Sequence, residues 1–354
     1  MKFYVSGGGT GGHFFPALAL LECMQEKGFD VEFVGSQRGI EYKLKNYITC
    51  KANFVASYPF IGKSIKEKLK AVVYSLLESL KLTRHIKTAK GGIVFGGYAS
   101  LPLGMALIMK RKPLYLHEQN SVPSATNTFL SRFATKVFIT FEHSRRFLPQ
   151  EKVIKTGLPV RKGLLRSHLD KRQVKESFGF DPTKPVLLII GGSQGAEFLN
   201  RLALDVFSRL SLQGIHITGE KDRELVLSDF YRDKKLPVKV FDFSDKMEYI
   251  YTACDVAISR AGASTITELS LFGIPAVFVP FPFSAKDHQF YNAKEIEQMG
   301  GGIVLRQEHA NLERIIKALE HILTNREDLS KNIKMFANPN ACEDILRHII
   351  FDHA

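Results

Sequence analysis

Short apolar runs alternate with longer stretches of helical periodicity along this chain. "KFYV" (2–5), "VEFVG" (31–35), "GGIVFGG" (91–97), "PLYLHE" (113–118) and "KVFIT" (136–140) read as strands. A second series follows: "PVLLIIGG" (185–192), "GIHITG" (214–219), "VKVFDF" (238–243), "DVAISR" (255–260) and "PAVFVPF" (275–281). Runs that are apolar at successive positions suit strands covered on both faces. Strands alternating with helix-length segments are the βαβ pattern of parallel sheets. After the first strand, Phe14, Ala17, Leu18, Leu21 and Met24 fall on one helical face.

Both series open alike. "VSGGGTGGHFFPAL" (5–18) and "VLLIIGGSQGAEFLNRLAL" (186–204) each run from a strand through a glycine loop into a helix. The pattern therefore predicts an α/β protein of two Rossmann-like domains, 1–160 and 161–354, with the last helix free to pack back on the first. "GLPVRKGLLRSHLDKR" (157–172), rich in Gly, Pro and basic residues, reads as the linker. Ligands of such sheets bind outside the carboxyl ends of the strands, so a cleft between the two domains is the expected site.

Composition narrows the class. The hydrophobic fraction of 45% excludes a disordered chain. No apolar run reaches the roughly 20 residues that span a bilayer, and no secretory signal pattern is seen at the start. Cys23, Cys50, Cys254 and Cys342 are scattered, which argues against a zinc site or disulfide framework and fits a reducing cytoplasm. A net charge of +13 points to an acidic partner: nucleic acid, an anionic membrane or a phosphorylated substrate.

The glycine loops are candidate anion sites, because the free amides and the dipole of a helix N-terminus favour negative charge. Gly7, Gly9 and Gly12 also match the dinucleotide spacing G-x-G-x-x-G. Glu32 lies at the distance of a ribose-binding acid but inside its strand run, which weakens an NAD reading. In "GGSQGA" (191–196), Ser193 and the loop amides could cradle phosphate. In "SRAGASTITEL" (259–269), Ser264, Thr265 and Thr267 carry hydroxyls, and Glu268 is either a ribose ligand or a solvated helix residue. In "PFPFSAKDHQFYNA" (280–293), Asp287 suits an N-cap, and Gln289 offers a donor and an acceptor to sugar hydroxyls.

"GGGTGGH", "GGYAS" (96–100), "HEQN" (117–120), "GLPVR" (157–161), "GGSQGA", "HITGEKD" (216–222), "SRAGASTITE" (259–268) and "KDHQFYNA" (286–293) occur in this order. Together they resemble the MurG-type glycosyltransferases of bacterial peptidoglycan synthesis. The resemblance implies a GT-B fold, no cofactor and no essential metal. It implies transfer of N-acetylglucosamine from UDP-GlcNAc to the C4 hydroxyl of the muramoyl sugar of lipid I, with inversion, giving lipid II. It further implies a peripheral protein at the cytoplasmic face of the cell membrane, with an anionic inner-membrane surface and other cell-wall enzymes as partners. Carried over by position, Thr10, Gly11 and Gly12 lie beside the sugar and diphosphate, and Asn120 is a sugar-side contact. Arg161 and Ser193 face the diphosphate, and Phe243 or Ser244 lies near the uracil. Ala263, Ser264, Thr265, Ile266 and Thr267 line the nucleotide loop, Glu268 holds the ribose and Gln289 the GlcNAc hydroxyls. Ser124 stands where the family often has glycine, and Ser244 where it commonly has an apolar residue.

An inverting transfer needs a base. His13 is the first candidate, with helix capping or ligand binding as its other role; Glu118 is the second, or else it orients the loop around Asn120. "DFSD" (242–245) lacks the D-x-D spacing of a metal site. A UDP-GlcNAc epimerase would use the same two-domain plan without a lipid. A dehydrogenase leaves the second glycine loop and "STITE" unexplained, and no nucleic-acid-binding motif accompanies the charge. Residues 61–87 carry Ile65, Leu69, Val73, Leu76 and Leu80 at helical spacing among Lys63, Lys66, Lys68, Lys70, Lys81, Arg84 and Lys87. This predicts a basic amphipathic helix with its early turns on lipid and Leu76 and Leu80 in the core.

Overall fold

The computed structural model describes residues 1–59, 64–165, 169–192, 195–219 and 221–353. The chain forms two compact units, Met1–Arg161 with Asn338–Ala354, and Lys162–Ala337.

The first unit is built on seven parallel strands: β1 (Lys2–Ser6), β2 (Asp30–Ser36), β3 (Ala52–Val55), β4 (Gly91–Val94), β5 (Leu114–Glu118), β6 (Lys136–Ile139) and β7 (Val153–Lys155). Their order is β3-β2-β1-β4-β5-β6-β7. Side chains alternate across a strand, so β1 feeds two cores. Phe3 and Val5 pack with Phe14, Leu18 and Leu21 of the helix Gly11–Glu26. Tyr4 faces the other way, among Val94, Leu103, Leu107 and Leu116. The helix Ala341–Phe351 completes the first of these cores with Ile345, Leu346 and Ile349. Beyond its end, Asp352 accepts from the Tyr115 hydroxyl and pairs with Lys136.

The second unit has six parallel strands: β8 (Val186–Ile190), β9 (Gln213–Ile217), β10 (Val238–Phe241), β11 (Val256–Ser259), β12 (Ala276–Phe278) and β13 (Gly302–Val304). Their order, β10-β9-β8-β11-β12-β13, repeats that of the first six strands of the other sheet. Both are the doubly wound order, whose direction reverses beside the first strand. All ten expected strands are present. β3, β7 and β13 were not read from the sequence.

The helix Ile65–His85 corrects an expectation. Leu76 and Leu80 are 45% and 50% exposed, less open than the early-turn positions Ile65 (85%) and Leu69 (64%) but outside the core. The buried face consists instead of Ala71, Ser75, Ser79 and Leu82. Small side chains let this helix lie close against the helix Leu101–Met109, while the longer apolar ones point away. Its start is fixed by a capping box: the Ser64 hydroxyl accepts the Glu67 amide, and the Glu67 carboxylate accepts the Ser64 amide. Lys63 lies outside the described residues.

A polar network crosses the second core. His216 on β9 is fully buried, with Nδ1 3.0 Å from the Tyr231 hydroxyl and Nε2 3.1 Å from Asn200 Oδ1. Burial pushes its pKa down to about 4 from the ordinary 6.5. Between these values the unfolded chain binds more protons than the folded one, so stability falls as pH drops through that window. The full effect is about 3 kcal/mol. His117 acts in the same direction and also titrates near 4. His216→Gln should therefore unfold more easily at pH 7 yet lose less of its Tm between pH 6.5 and 4.5 than the parent. Parallel Tm losses in calorimetry across that range would contradict this.

Candidate active site

In the first unit the site is assembled at the carboxyl ends of β1 and β4. Three glycines of the loop are used by the protein itself. A Cβ on Gly7 would sit 2.6 Å from the His13 carbonyl and 2.9 Å from Phe95, so the helix and β4 can meet there only over glycine. A Cβ on Gly8 would fall 2.2 Å from the Glu41 side chain. Gly9 has φ +82° and lies against the Tyr98 ring. Gly12 differs: its nearest neighbour would be the Thr10 hydroxyl at 3.9 Å, and it is exposed. Gly12 therefore borders open space rather than packed protein.

Glu41, missed in the sequence, underlies this loop. It is completely buried, and its two oxygens accept the Gly9 and Ser36 amides, each at 2.8 Å. The sequence signal was the pair Gly35 and Gly39 beside it, both of which leave room for this carboxylate. Ser100 ties the two loops together, donating to the Ser6 and Gly96 carbonyls. Gly97, at φ +73°, brings the second loop to the ring of His13. Thr10 Oγ1 is 2.9 Å from His13 Nδ1. The tautomer in which Nδ1–H donates to Thr10 places the ring's lone pair on Nε2. Gly11 begins the helix, whose first intrahelical bonds are accepted by the Thr10 carbonyl.

Glu118 ends β5 and is fully buried. Its oxygens accept the Asn120 amide at 2.9 Å, the Asn127 side chain at 2.7 Å and the Ser124 amide at 3.4 Å. Burial pushes its pKa up to about 7, against the pull of these donors. The carboxyl thus shapes the turn that presents the half-buried Asn120. Ser124 caps the helix Ala125–Ser131 through its hydroxyl. The Arg161 guanidinium lies over the Phe15 ring, 5.7 Å from its centroid. Glu32 is occupied elsewhere: it pairs with Lys2 at 2.7 Å and accepts from Asn53.

In the second unit the corresponding ends are those of β8 and β11. Gly191, Gly192, Gly195 and Ala196 lead into the helix Glu197–Leu210, while Ser193 lies outside the described residues. The helix Ala263–Phe272 follows β11, and its first internal bond runs from the Ile266 amide to the Gly262 carbonyl. The amides of Ala263, Ser264 and Thr265 therefore lead the helix with no acceptor inside it. Ser264 and Thr265 are half-buried, whereas the side chains of Ile266 and Thr267 are buried. Glu268 is half-buried and accepts from the Tyr251 hydroxyl at 2.7 Å, so it is more than a solvated helix residue.

Gln289 spends its acceptor on the protein. Its Oε1 takes the Ala261 and Phe281 amides at 3.2 and 2.9 Å, which leaves the Nε2 donors as what it can offer a sugar. Asp287 occupies the N-cap position but does not cap; it pairs with Arg306 at 2.7 Å. Phe243 is well exposed beyond β10, and the Ser244 hydroxyl accepts the Lys246 amide. Arg260, also missed, is a buried guanidinium between the Phe198 and Phe281 rings. It donates to the Val279 and Pro280 carbonyls and to Gln307, binding the loops after β11 and β12 together. Burial lowers its pKa to about 10, so it is a cation at neutral pH.

Residues 3–139 match the model of the glycosyltransferase family 28 N-terminal domain, and residues 186–348 that of the family 28 C-terminal domain. Over 352 residues, 98% of this chain and 99% of the relative, the chain is 48% identical to the UDP-N-acetylglucosamine–N-acetylmuramyl-(pentapeptide) pyrophosphoryl-undecaprenol N-acetylglucosamine transferase of Aquifex aeolicus. The chain belongs to this family of glycosyltransferases. The crystal structure of Acinetobacter baumannii MurG matches with a TM-score of 0.80 at 29% identity, over 98% of this chain and 99% of that one. A UDP-GlcNAc 2-epimerase from Neisseria meningitidis matches at 0.68 with 14% identity, over 99% and 100% of the two chains, a likeness of fold alone. The resemblance read from the eight ordered motifs is borne out, as is the α/β class with two Rossmann-like sheets on the GT-B plan.

The two kinds of glycine can be told apart. Gly97→Ala would force a Cβ to 2.4 Å from the Gly8 carbonyl at positive φ. It should lose about 1–3 kcal/mol of stability. Gly12→Ala should unfold within about 0.5 kcal/mol of the parent. Denaturant titration of both variants checks this; equal losses would place Gly12 among the packing glycines.

Proposed function

We propose that this protein transfers N-acetylglucosamine from UDP-GlcNAc to the C4 hydroxyl of the muramoyl sugar of lipid I, giving lipid II and UDP. The observation that carries the reading is the 48% identity, across nearly all of both chains, to a relative named as the N-acetylglucosamine transferase of UDP-N-acetylglucosamine and N-acetylmuramyl-(pentapeptide) pyrophosphoryl-undecaprenol. The local chemistry agrees with it. His13 Nε2 takes the proton of the attacking hydroxyl while Thr10 holds Nδ1. The hydroxyl oxygen bonds to C1 of the donor sugar from the side opposite the diphosphate. The C1–O bond breaks, and its electron pair leaves on UDP, which inverts the configuration. The leading amides at Ala263, Ser264 and Thr265, with Ser193 and Arg161, meet the charge that grows on the diphosphate. Glu268, steadied by Tyr251, accepts from the ribose hydroxyls, and Phe243 or Ser244 lies at the uracil. Gln289 Nε2 and Asn120 hold the transferred sugar. Glu118 acts through Asn120 rather than as the base, since its oxygens are committed to the turn. Incubation with UDP-GlcNAc and a lipid I analogue should yield lipid II and UDP. Release of an epimerised nucleotide sugar without acceptor would overturn the reading.

The base is tested by His13→Ala. Loss of a general base lowers kcat by about 10²–10⁴-fold. The acid limb of the kcat–pH profile should vanish with it. An unchanged acid limb in the variant would assign the proton transfer elsewhere.

No helix among the described residues is long and apolar enough to cross a membrane. The outward face of the helix Ile65–His85 supports binding as a peripheral protein at the cytoplasmic membrane face, where lipid I is anchored. Leu69, Val73, Leu76 and Leu80 are exposed there, with Lys66 and Lys70 exposed nearby. Apolar side chains enter the interface and each cation adds about 1 kcal/mol on anionic lipid. Leu69, Leu76 and Leu80 changed together to Gln should abolish sedimentation with phosphatidylglycerol vesicles and leave Tm unchanged. Undiminished sedimentation would remove this helix as the anchor.

A further inference from the structure

The amino-terminal ends of β8 and β11, opposite the glycine loop and Ser264, border a cavity of about 710 Å³. Its floor is Asp255, which is buried and accepts the Val186 amide at 2.9 Å. Three cations converge on this one carboxylate: Lys171 at 2.9 Å, Lys175 at 2.7 Å and Arg326 at 3.4 Å. Lys171 also donates to the Cys254 carbonyl, and Lys175 to that of Lys184. Burial raises the carboxyl's pKa, but Lys171 and Lys175 outweigh it and hold the group below the usual carboxylate range, so Asp255 is ionised. This inner set is explained by folding, since a buried carboxylate must be paired.

The outer set is not so explained. Arg172, Lys331 and Lys334 line the same cavity and are exposed. Arg172 meets Glu176 at 3.2 Å and Lys331 meets Asp328 at 3.9 Å, exposed pairs that contribute little. Lys334 draws its stem across Gly273, where a Cβ would fall 2.2 Å from its Cε. Among the described residues, six cations line the cavity against two carboxylates, Asp255 and Glu327. Thr183 and Ser330 add hydroxyls, and Phe272 adds an apolar wall. A volume in the range of small-molecule sites, with cations, hydroxyls and one aromatic face, suits an organic molecule bearing more than one phosphate charge.

We propose that this cavity is a second anion site, separate from the nucleotide-sugar site, that binds a multiply charged phosphorylated molecule. The inner cations hold the floor and the outer three grip the phosphate oxygens. The same chemistry fits a free phosphorylated solute and the phosphomonoester headgroup of a lipid such as phosphatidic acid, which can carry two charges. One wall, Phe272 and Gly273, closes the helix whose other end presents Ser264 and Thr265.

The test compares the parent with Arg172→Gln, Lys331→Gln and Lys334→Gln combined, which leaves the Asp255 cluster intact. Pyrophosphate is titrated calorimetrically at low salt with saturating UDP, so that the nucleotide site is filled. A free solute predicts pyrophosphate binding to the parent that weakens at least tenfold in the triple variant, with Tm and UDP affinity unchanged. A lipid source predicts weak pyrophosphate binding but a severalfold loss of phosphatidic acid vesicle binding in the variant relative to the parent. If parent and variant bind both probes alike, the cavity is an ordinary solvated basic surface and the proposal fails.

Discussion

Parallel strands cannot be joined by a tight turn, and everything functional here follows from that. Each strand must be carried back across a face of the sheet before the next begins, so both faces are covered and only the strand ends remain open. In a sheet wound outward in both directions from its first strand, two neighbouring loops diverge at one point. β1 and β4 make that point in one unit, and β8 and β11 in the other. Loops at those points have room for a ligand and the free amides of the helices that follow.

The glycine loop of the first unit shows how such a point is built. Most of its glycines relieve crowding from within: helix against strand at Gly7, the Glu41 carboxylate at Gly8, the Tyr98 ring at Gly9. Glu41 accepts an inward-facing amide and so holds the loop from within. The second unit uses a buried guanidinium for a similar end, with Arg260 gathering the Val279 and Pro280 carbonyls. Both braces are buried polar side chains satisfied mainly by backbone groups.

What the sequence revealed was set by run length and by chemistry. Central strands such as "VLLII" announce themselves because both faces are buried. β3, β7 and β13 are edge or near-edge strands of three or four residues, partly exposed, and too short to form an apolar run. Glu41 sits on a four-residue helix and looks like surface; only the flanking glycines betray it. Leu76 and Leu80 misled because an apolar stripe normally marks the core, whereas here Ser75 and Ser79 are the inward residues. The motif loops were legible in order and identity, but not what their side chains hold: Gln289 and Glu118 turn much of their hydrogen-bonding inward.

The helix Ala341–Phe351 belongs to the core of the first unit, yet it is encoded after the whole of the second. During synthesis the residues up to Arg161 leave the ribosome with Phe14, Leu18 and Leu21 still missing the partners that Ile345 and Ile349 will supply. The second unit, with an unbroken stretch of chain, can close its core first. The half of the enzyme made earliest is thus the half completed last, and until then it exposes apolar surface of the kind that makes partly folded chains prone to aggregate.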